Sequence, residues 1–429
     1  MRLAVWSPLP SSPSGIADYV AESLPLLARD ADVVPVPEEP AREVEADLDL
    51  YHVGNSPAHA YVYRAALRRP GVVVLHDWSL HHLVLRETVE RGDVSAYLRE
   101  MRRGYGATGT FVGRQVARAL GGDLLPALFP LNDRLLEASL GLVGLTQHVC
   151  SRAARRLPGR PVLHLPHHLA LPLDPLPTRA AARAALGLPP DALLVTAPGL
   201  ATQAKRLDVA VRVLARLRAR HPALRLVVAG DLDPALPLRA WAREAGMEEA
   251  LVVAGRLELP DFVRHLVAAD VVLALRFPSH GEISGALVRA LGVGRPALVT
   301  AGTPAAEEFP EGVVVPVDPG RHEEAEMEAL LDALLARPDL RESVGEAARQ
   351  HARDHHDLAA CTERLLRFLH EVHAAKPQAL AALEADRAEE GGLLGYLMEE
   401  VRWGARDLGL PGMSLGLEGV LRELVERRV

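Results

Sequence analysis

The 429 residues carry 49% hydrophobic and 24% charged side chains, the balance of globular chains long enough for two or three domains. A net charge of −8 gives the protein as a whole no electrostatic reason to hold nucleic acid, and no apolar run reaches the roughly 18–20 residues of a membrane span. Cys150 and Cys361, the only cysteines, lack metal-ligand spacing, and the opening MRLAVWSP reads as a short strand meeting Pro8 rather than a secretory leader. A cytoplasmic, reduced enzyme is the expectation.

In chain order, short apolar runs alternate with helical patterns, the βαβ signal of parallel sheets. Strands are expected at Leu3–Trp6, Val33–Val36, Leu48–Val53, Val72–His76, Leu142–Thr146 and Val162–Leu165. Helical patterns fall between them at Asp18–Ala28, Ala58–Arg68 and Leu125–Ser139. The Pro-rich stretch Leu165–Thr178 continues neither a helix nor a central strand and reads as an interdomain linker. The pattern restarts with strands at Leu193–Ala197, Leu224–Ala229, Leu251–Ala254, Val271–Leu275, Ala297–Thr300 and Val313–Val317. Two doubly wound α/β units follow from this. Beyond Pro338 the pattern is helical only, with a stripe of Leu365, Leu366, Phe368 and Leu369 that needs a docking surface. A last segment, about Pro377–Val429, reads as two or three helices broken at Gly391-Gly392 and Pro411-Gly412.

Four strand-to-helix junctions carry the chemistry. In SPLPSSPSGIADYV, Gly15 stands directly before a helix, where free N–H groups and the dipole favour an anion. A plain turn glycine is the competing account. In VVVLHDWSLHH, His76 and Asp77 close an apolar strand, and His81 and His82 enter the next helix. The HDxxxHH spacing has no recognised metal-ligand pattern. His52 and Asn55 line the same sheet edge, His52 equally as a buried structural histidine. In APGLATQAKRLDVAV, a strand runs through Gly199 to Lys205 and Arg206, two cations suited to a diphosphate or to a solvated surface. Lys205 stands out because only two of the 48 basic residues are lysines. In PSHGEISGALVRALGVGRP, Glu282, Ser284 and Gly285 sit where a helix starts, placed for sugar hydroxyls and a phosphate, or as an ordinary N-terminal charge.

Taken together, the third and fourth junctions resemble the retaining GT-B glycosyltransferases of family 4. Lys205 lies at the offset from Gly199 that the family's G-R-x-x-x-x-K-G segment requires, and Pro278-Ser279, Glu282, Gly294 and Pro296 follow its P-S-x-x-E…G-x-P segment. The resemblance covers about residues 1–373. It implies a GT-B fold with an acceptor domain over 1–170, a nucleotide-sugar domain over 171–355, a helix over 356–375 returning to the first domain, and a helical extension over 376–429. It also implies roles: Lys205 on the donor diphosphate, Glu282 on the donor sugar, Gly15 opening the loop to phosphate, and His76 on the transferring sugar. No metal and no cofactor are implied, the nucleotide diphosphate sugar being a co-substrate. Two residues depart from the family pattern. Leu200 replaces its arginine, so that Arg206 would supply the charge, and Arg289 replaces its ribose-binding glutamate. Such changes mark altered donor recognition or lost activity.

The function expected is transfer of a sugar, with retention, to an acceptor hydroxyl on a glycan or a lipid-linked molecule. A sugar-nucleotide epimerase and a non-catalytic glycosyltransferase-like subunit are the alternatives. Seven arginines between Arg86 and Arg118, with Met101, Tyr105 and Phe111, form either a basic surface for anionic lipid at the inner face of the membrane or a solvated helix face. Nothing in the sequence specifies an oligomeric state.

Overall fold

In the computed structural model of the protein the described residues are 1–390 other than Ser11 and Pro13, together with Val401, Ala405 and Val420. The helices and glycine breaks expected beyond residue 390 lie outside the described residues.

The chain folds into two parallel six-stranded sheets. The first contains β1 (Arg2–Trp6), β2 (Asp32–Val36), β3 (Leu48–Val53), β4 (Val72–Leu75), β5 (Gly141–Gly144) and β6 (Val162–His164). The second contains β7 (Leu193–Pro198), β8 (Leu224–Ala229), β9 (Leu251–Val253), β10 (Val271–Ala274), β11 (Ala297–Thr300) and β12 (Val315–Val317). Each falls within two residues of an expected apolar run. β3 and β4 are buried along their whole length, as strands covered by helices on both faces must be. Three strands contain proline: Pro35 of β2 and Pro316 of β12 lie on edge strands, where a missing N–H breaks no ladder, and Pro198 is the last residue of the interior strand β7.

Strand order locates the ligand crevices. The first sheet runs β2-β1-β3-β4-β5-β6, so its connections change direction between β1 and β3. The second runs β12-β11-β10-β7-β8-β9 and reverses between β7 and β10. Open α/β sheets bind ligands outside the carboxyl ends of the strands at such switch points. Gly15 follows β1, and Asn55 follows β3. Lys205 follows β7, and Glu282 follows β10.

One expected element is corrected. The pattern read as a single helix over Leu125–Ser139 is two short helices, Leu125–Leu128 and Asp133–Ala138. Pro130 disfavours helical backbone at Phe129, and Leu131 takes a left-handed φ of 54°. The break brings Asn132 under the second junction, where its side-chain amide donates to the Trp78 carbonyl at 2.7 Å.

The connecting segments are well tied. In the Pro-rich stretch after β6, His167 and His168 are buried, and the Leu169 N–H donates to the His356 carbonyl at 2.6 Å. The two chain crossings between the domains therefore run side by side. The last described helix, Leu358–Glu390, continues past residue 375 and through Pro377. It packs on the helix Gly15–Leu27, with Leu365, Leu366, Phe368 and Leu369 buried, and Lys376 Nζ donates to the Asp47 carbonyl at 2.6 Å.

Helices of the second domain are held by charge of two kinds. On the surface, Arg212, Arg216 and Arg220 of one helix, spaced by four, face Glu324, Glu328 and Asp332 of another, also spaced by four. In the interior, Asp270 receives Arg183 at 2.7 Å, Arg179 at 2.6 Å and the Leu194 N–H at 2.8 Å. Asp270→Ala would leave the buried Arg183 guanidinium without its carboxylate and the Leu194 N–H without its acceptor. Chemical denaturation should show a loss of about 3–5 kcal/mol for this variant, against less than about 1 kcal/mol for Arg212→Ala in the exposed ladder. Equal losses would contradict this division.

Candidate functional site

Each switch point ends in a loop whose backbone is specialised. Gly199, which ends the β7 run, has a φ of +75°, and a side chain there would approach Lys205 Nζ to 3.3 Å. The loop then forms a single 3₁₀ turn, Gln203–Lys205, which turns the Lys205 ammonium back onto the Pro198 carbonyl. Burial first, and then the neighbouring Arg276 guanidinium, lower Lys205 to about 7. At neutral pH this lysine is therefore only partly charged until an anion arrives.

Glu282 is buried at the end of the loop after β10. Its Oε2 accepts the His280 N–H at 2.6 Å and the Ser279 hydroxyl at 3.2 Å, and its Oε1 pairs with Arg276 Nε at 2.9 Å. Ser284 is the N-cap of the helix Gly285–Gly292 but gives no capping hydrogen bond from its side chain, so the first amides of that helix stay available. Gly285 faces the first domain, where an added Cβ would lie 3.0 Å from His167 Nε2.

The first domain brings the other two junctions to the same place. The Ser79 N–H donates to the His280 carbonyl at 2.9 Å, and a side chain at Gly281 would overlap Trp78. His76 is buried, and its Nε2 meets His52 Nδ1 at 3.1 Å. Burial first, then neighbouring histidines, hold His76 well below the usual histidine range and lower His52 to about 3. Both rings are neutral at pH 7, so His76 acts as a hydrogen-bonding imidazole, not as a cation. Asp77 accepts the Asn55 N–H at 2.7 Å, and burial followed by the Glu282 carboxylate raises its pKa. Asn55 also accepts the Leu83 N–H at 3.1 Å and bonds His82, which fixes this loop on the following helix. His81 is turned away, bonded to Tyr97 and to the Phe129 carbonyl. Gly15 is exposed at the start of its helix, and an added Cβ would meet nothing within 4 Å.

Arg206 and Arg289 are engaged elsewhere. The Arg206 guanidinium lies on Glu323, at the head of the surface ladder between the two helices. Arg289, where the family has a glutamate, is buried and pairs with Glu22 of the first domain at 2.5 Å. Glu22 also receives His168 Nε2 at 3.1 Å, and the His168 ring stacks on Tyr19 at 4.0 Å.

Several residues of the site escaped the sequence reading. Arg276 was readable as a charge directly after an apolar strand. Glu22, His167, His168 and Trp78 carried no local signal, because they join the site only when the domains meet. Among the described residues no group of three His, Cys, Asp or Glu side chains is arranged to hold a metal ion.

Residues 178–351, which include β7–β12, Lys205, Arg276 and Glu282, match the family model of glycosyl transferases group 1. The second domain is thus similar to the glycosyl transferases group 1. A D-inositol 3-phosphate glycosyltransferase of Saccharomonospora viridis is 32% identical over 211 residues, 46% of this chain and 47% of that protein. The chain spans about half the length of the curated relatives it matches. Among solved structures, HepE from Anabaena in complex with UDP and glucose superposes with a TM-score of 0.57 at 15% identity, over 86% of this chain and 99% of that one. Sucrose-phosphate synthase from Thermosynechococcus elongatus gives 0.62 at 15% identity, over 87% and 100%. These likenesses show the fold: two parallel-sheet α/β domains in the GT-B arrangement.

The lowered pKa of Lys205 gives a signed expectation. An anion binds the protonated amine, so affinity for an anionic probe such as pyrophosphate should fall as pH rises through about 7, by at most about tenfold per pH unit. Lys205→Arg keeps its charge throughout and should remove that part of the slope in calorimetric titrations between pH 6 and 9. A slope unchanged in Lys205→Arg would exclude Lys205 as its source.

Proposed function

We propose that this chain is a glycosyltransferase that moves a sugar from a nucleoside diphosphate sugar to an acceptor hydroxyl, with retention at the anomeric carbon and without a metal ion. One observation carries the reading. Lys205 and Glu282 occupy the loops of two adjacent strands at the switch point of the second domain, and the loop of Glu282 meets the Asp77–Ser79 turn that follows His76 of the facing domain.

The roles follow from charge and burial. Lys205 meets the diphosphate and stabilises it as a leaving group, together with the N-terminal amides of the helices at Gly15 and Gly285. The Glu282 carboxylate accepts hydrogen bonds from donor sugar hydroxyls. His76, neutral, bonds a hydroxyl of the sugar from the other side. As the glycosidic bond to the diphosphate breaks, positive charge develops on the sugar, and the acceptor attacks on the face the diphosphate leaves. Exclusion of water between the domains protects the donor from hydrolysis. HepE, whose structure holds UDP and glucose, supports a uridine donor through the shared fold.

The acceptor enters beside Trp78. A cavity of about 410 Å³ between the domains is lined by Arg152 and Arg155 of the first domain and Glu307 and Glu308 of the second. The Arg152 guanidinium lies 5.8 Å from the Trp78 ring centre, and neither arginine forms an ion pair among the described residues. This suits an acceptor bearing an anionic group, as D-inositol 3-phosphate does in the name of the Saccharomonospora viridis relative.

Peripheral contact with the inner face of a membrane is narrower than the whole Arg86–Arg118 stretch. Arg86, Arg91, Arg99 and Arg103 pair with carboxylates, and Met101 is buried. Phe111, Leu120, Leu124 and Leu128 are exposed beside Arg114 and Arg118, and these six residues are the surface that would meet lipid. Among the described residues no helix is long and apolar enough to cross a membrane.

A binding subunit without turnover has one observation in its favour, the arginine at position 289 closed onto Glu22. Incubation with a panel of nucleotide sugars separates the readings. Acceptor-dependent nucleotide release, retained anomeric configuration by NMR, activity in chelator and loss of about 100-fold or more in Glu282→Gln are expected. Anionic vesicles carrying the acceptor should raise the rate, and Leu124→Asp should abolish that increase. Sugar interconversion, or binding with no turnover, would overturn the proposal.

A further inference from the structure

We propose that Arg276 is the second diphosphate-binding cation of the donor site, standing in for the arginine this chain lacks at position 200. The inference rests on the glycosyltransferase reading above.

A donor diphosphate carries two negative charges or more, and the loop after β7 offers it only one cation. Leu200, beside Gly199, is 54% exposed and apolar. Arg206, the next cation along the chain, is held by Glu323. Arg276 stands two residues after β10, the strand hydrogen-bonded to β7. Its own N–H donates to Thr300 Oγ1 at 2.9 Å, which anchors its backbone to β11. The next residue, Phe277, donates its N–H to the Ala204 carbonyl at 2.8 Å. That bond stitches the Arg276 loop to the residue before Lys205, so the two cations come from loops tied together.

The side chain is prepared for an anion. Nε lies 2.9 Å from Glu282 Oε1 as a charge pair, and the two terminal nitrogens make no hydrogen bond among the described residues. About a third of the side chain is open to solvent. A guanidinium with unused terminal donors offers the planar fork that phosphate oxygens accept bidentately. The proximity of Arg276 is felt at Lys205, whose protonation it opposes. A diphosphate between the two would relieve that repulsion. Glu282 thus has two tasks, binding sugar hydroxyls and aiming Arg276.

The test is calorimetric titration of the full chain with UDP, inorganic pyrophosphate and uridine, for wild type, Arg276→Gln, Leu200→Arg and the double variant. Arg276→Gln should weaken UDP and pyrophosphate by about 10- to 100-fold and leave uridine unchanged, with an unaltered melting temperature. Leu200→Arg in the Arg276→Gln background should restore most of the lost affinity, because the charge returns to the other side of the same phosphate site. Arg276→Gln binding UDP and pyrophosphate as wild type does, or a double variant as weak as Arg276→Gln, would overturn the assignment while wild-type turnover leaves the glycosyltransferase reading intact. Wild-type protein that binds neither UDP nor pyrophosphate and shows no turnover with any nucleotide sugar would remove both.

Discussion

The geometry of the cleft depends on one close approach, that of Gly281 to Trp78. With φ at +86° and no room for a Cβ, Gly281 lets the loop after β10 lie flat against the indole-bearing turn after β4. The Ser79 to His280 hydrogen bond follows from that contact. So does the approach of Asp77 to Glu282, carboxylates of different domains close enough that Glu282 raises the Asp77 pKa while Arg276, paired with Glu282, lowers it. A bulkier residue at 281 would push the domains apart and separate the sugar-binding groups of one from those of the other.

Burial of this cluster explains its electrostatics. A neutral His76 against His52, a raised Asp77 beside the Glu282 carboxylate and a lowered Lys205 near the Arg276 guanidinium are each the response of a buried group, with like-charged neighbours adding to the shift. An anionic ligand between Lys205 and Arg276 compensates the excess of positive charge on that side, and polar hydroxyls compensate Glu282 on the other. In the proposed reading the site takes a molecule that is anionic at one end and hydroxyl-rich at the other. Desolvation makes each of these contacts stronger than the same contact in water.

Much of this was legible in the sequence because parallel sheets write themselves clearly. Apolar runs such as Leu48–Val53 are buried on both faces, and ligand residues must then fall at the strand ends, which is where Lys205 and Glu282 stand. What could not be read depends on distant parts of the chain. Arg206 looked like a second phosphate cation, yet it opens a ladder whose acidic rail lies more than a hundred residues away. Arg289 looked like a lost ribose contact; the carboxylate it meets, Glu22, belongs to the other domain. His167 and His168, in a proline-rich stretch that reads as a linker, are buried because both domain crossings pack together. The helix over Leu125–Ser139 failed locally, through Pro130 and the turn at Leu131.

The central claim is that a nucleoside diphosphate sugar lies across the β7/β10 switch point with its phosphates between Lys205 and Arg276 and its sugar on Glu282. A crystal structure with UDP and a non-transferable sugar analogue tests it most directly. Phosphate oxygens within hydrogen-bond distance of Lys205 Nζ and the Arg276 terminal nitrogens are predicted. Phosphates bound away from both residues, with the sugar out of reach of Glu282, would contradict it.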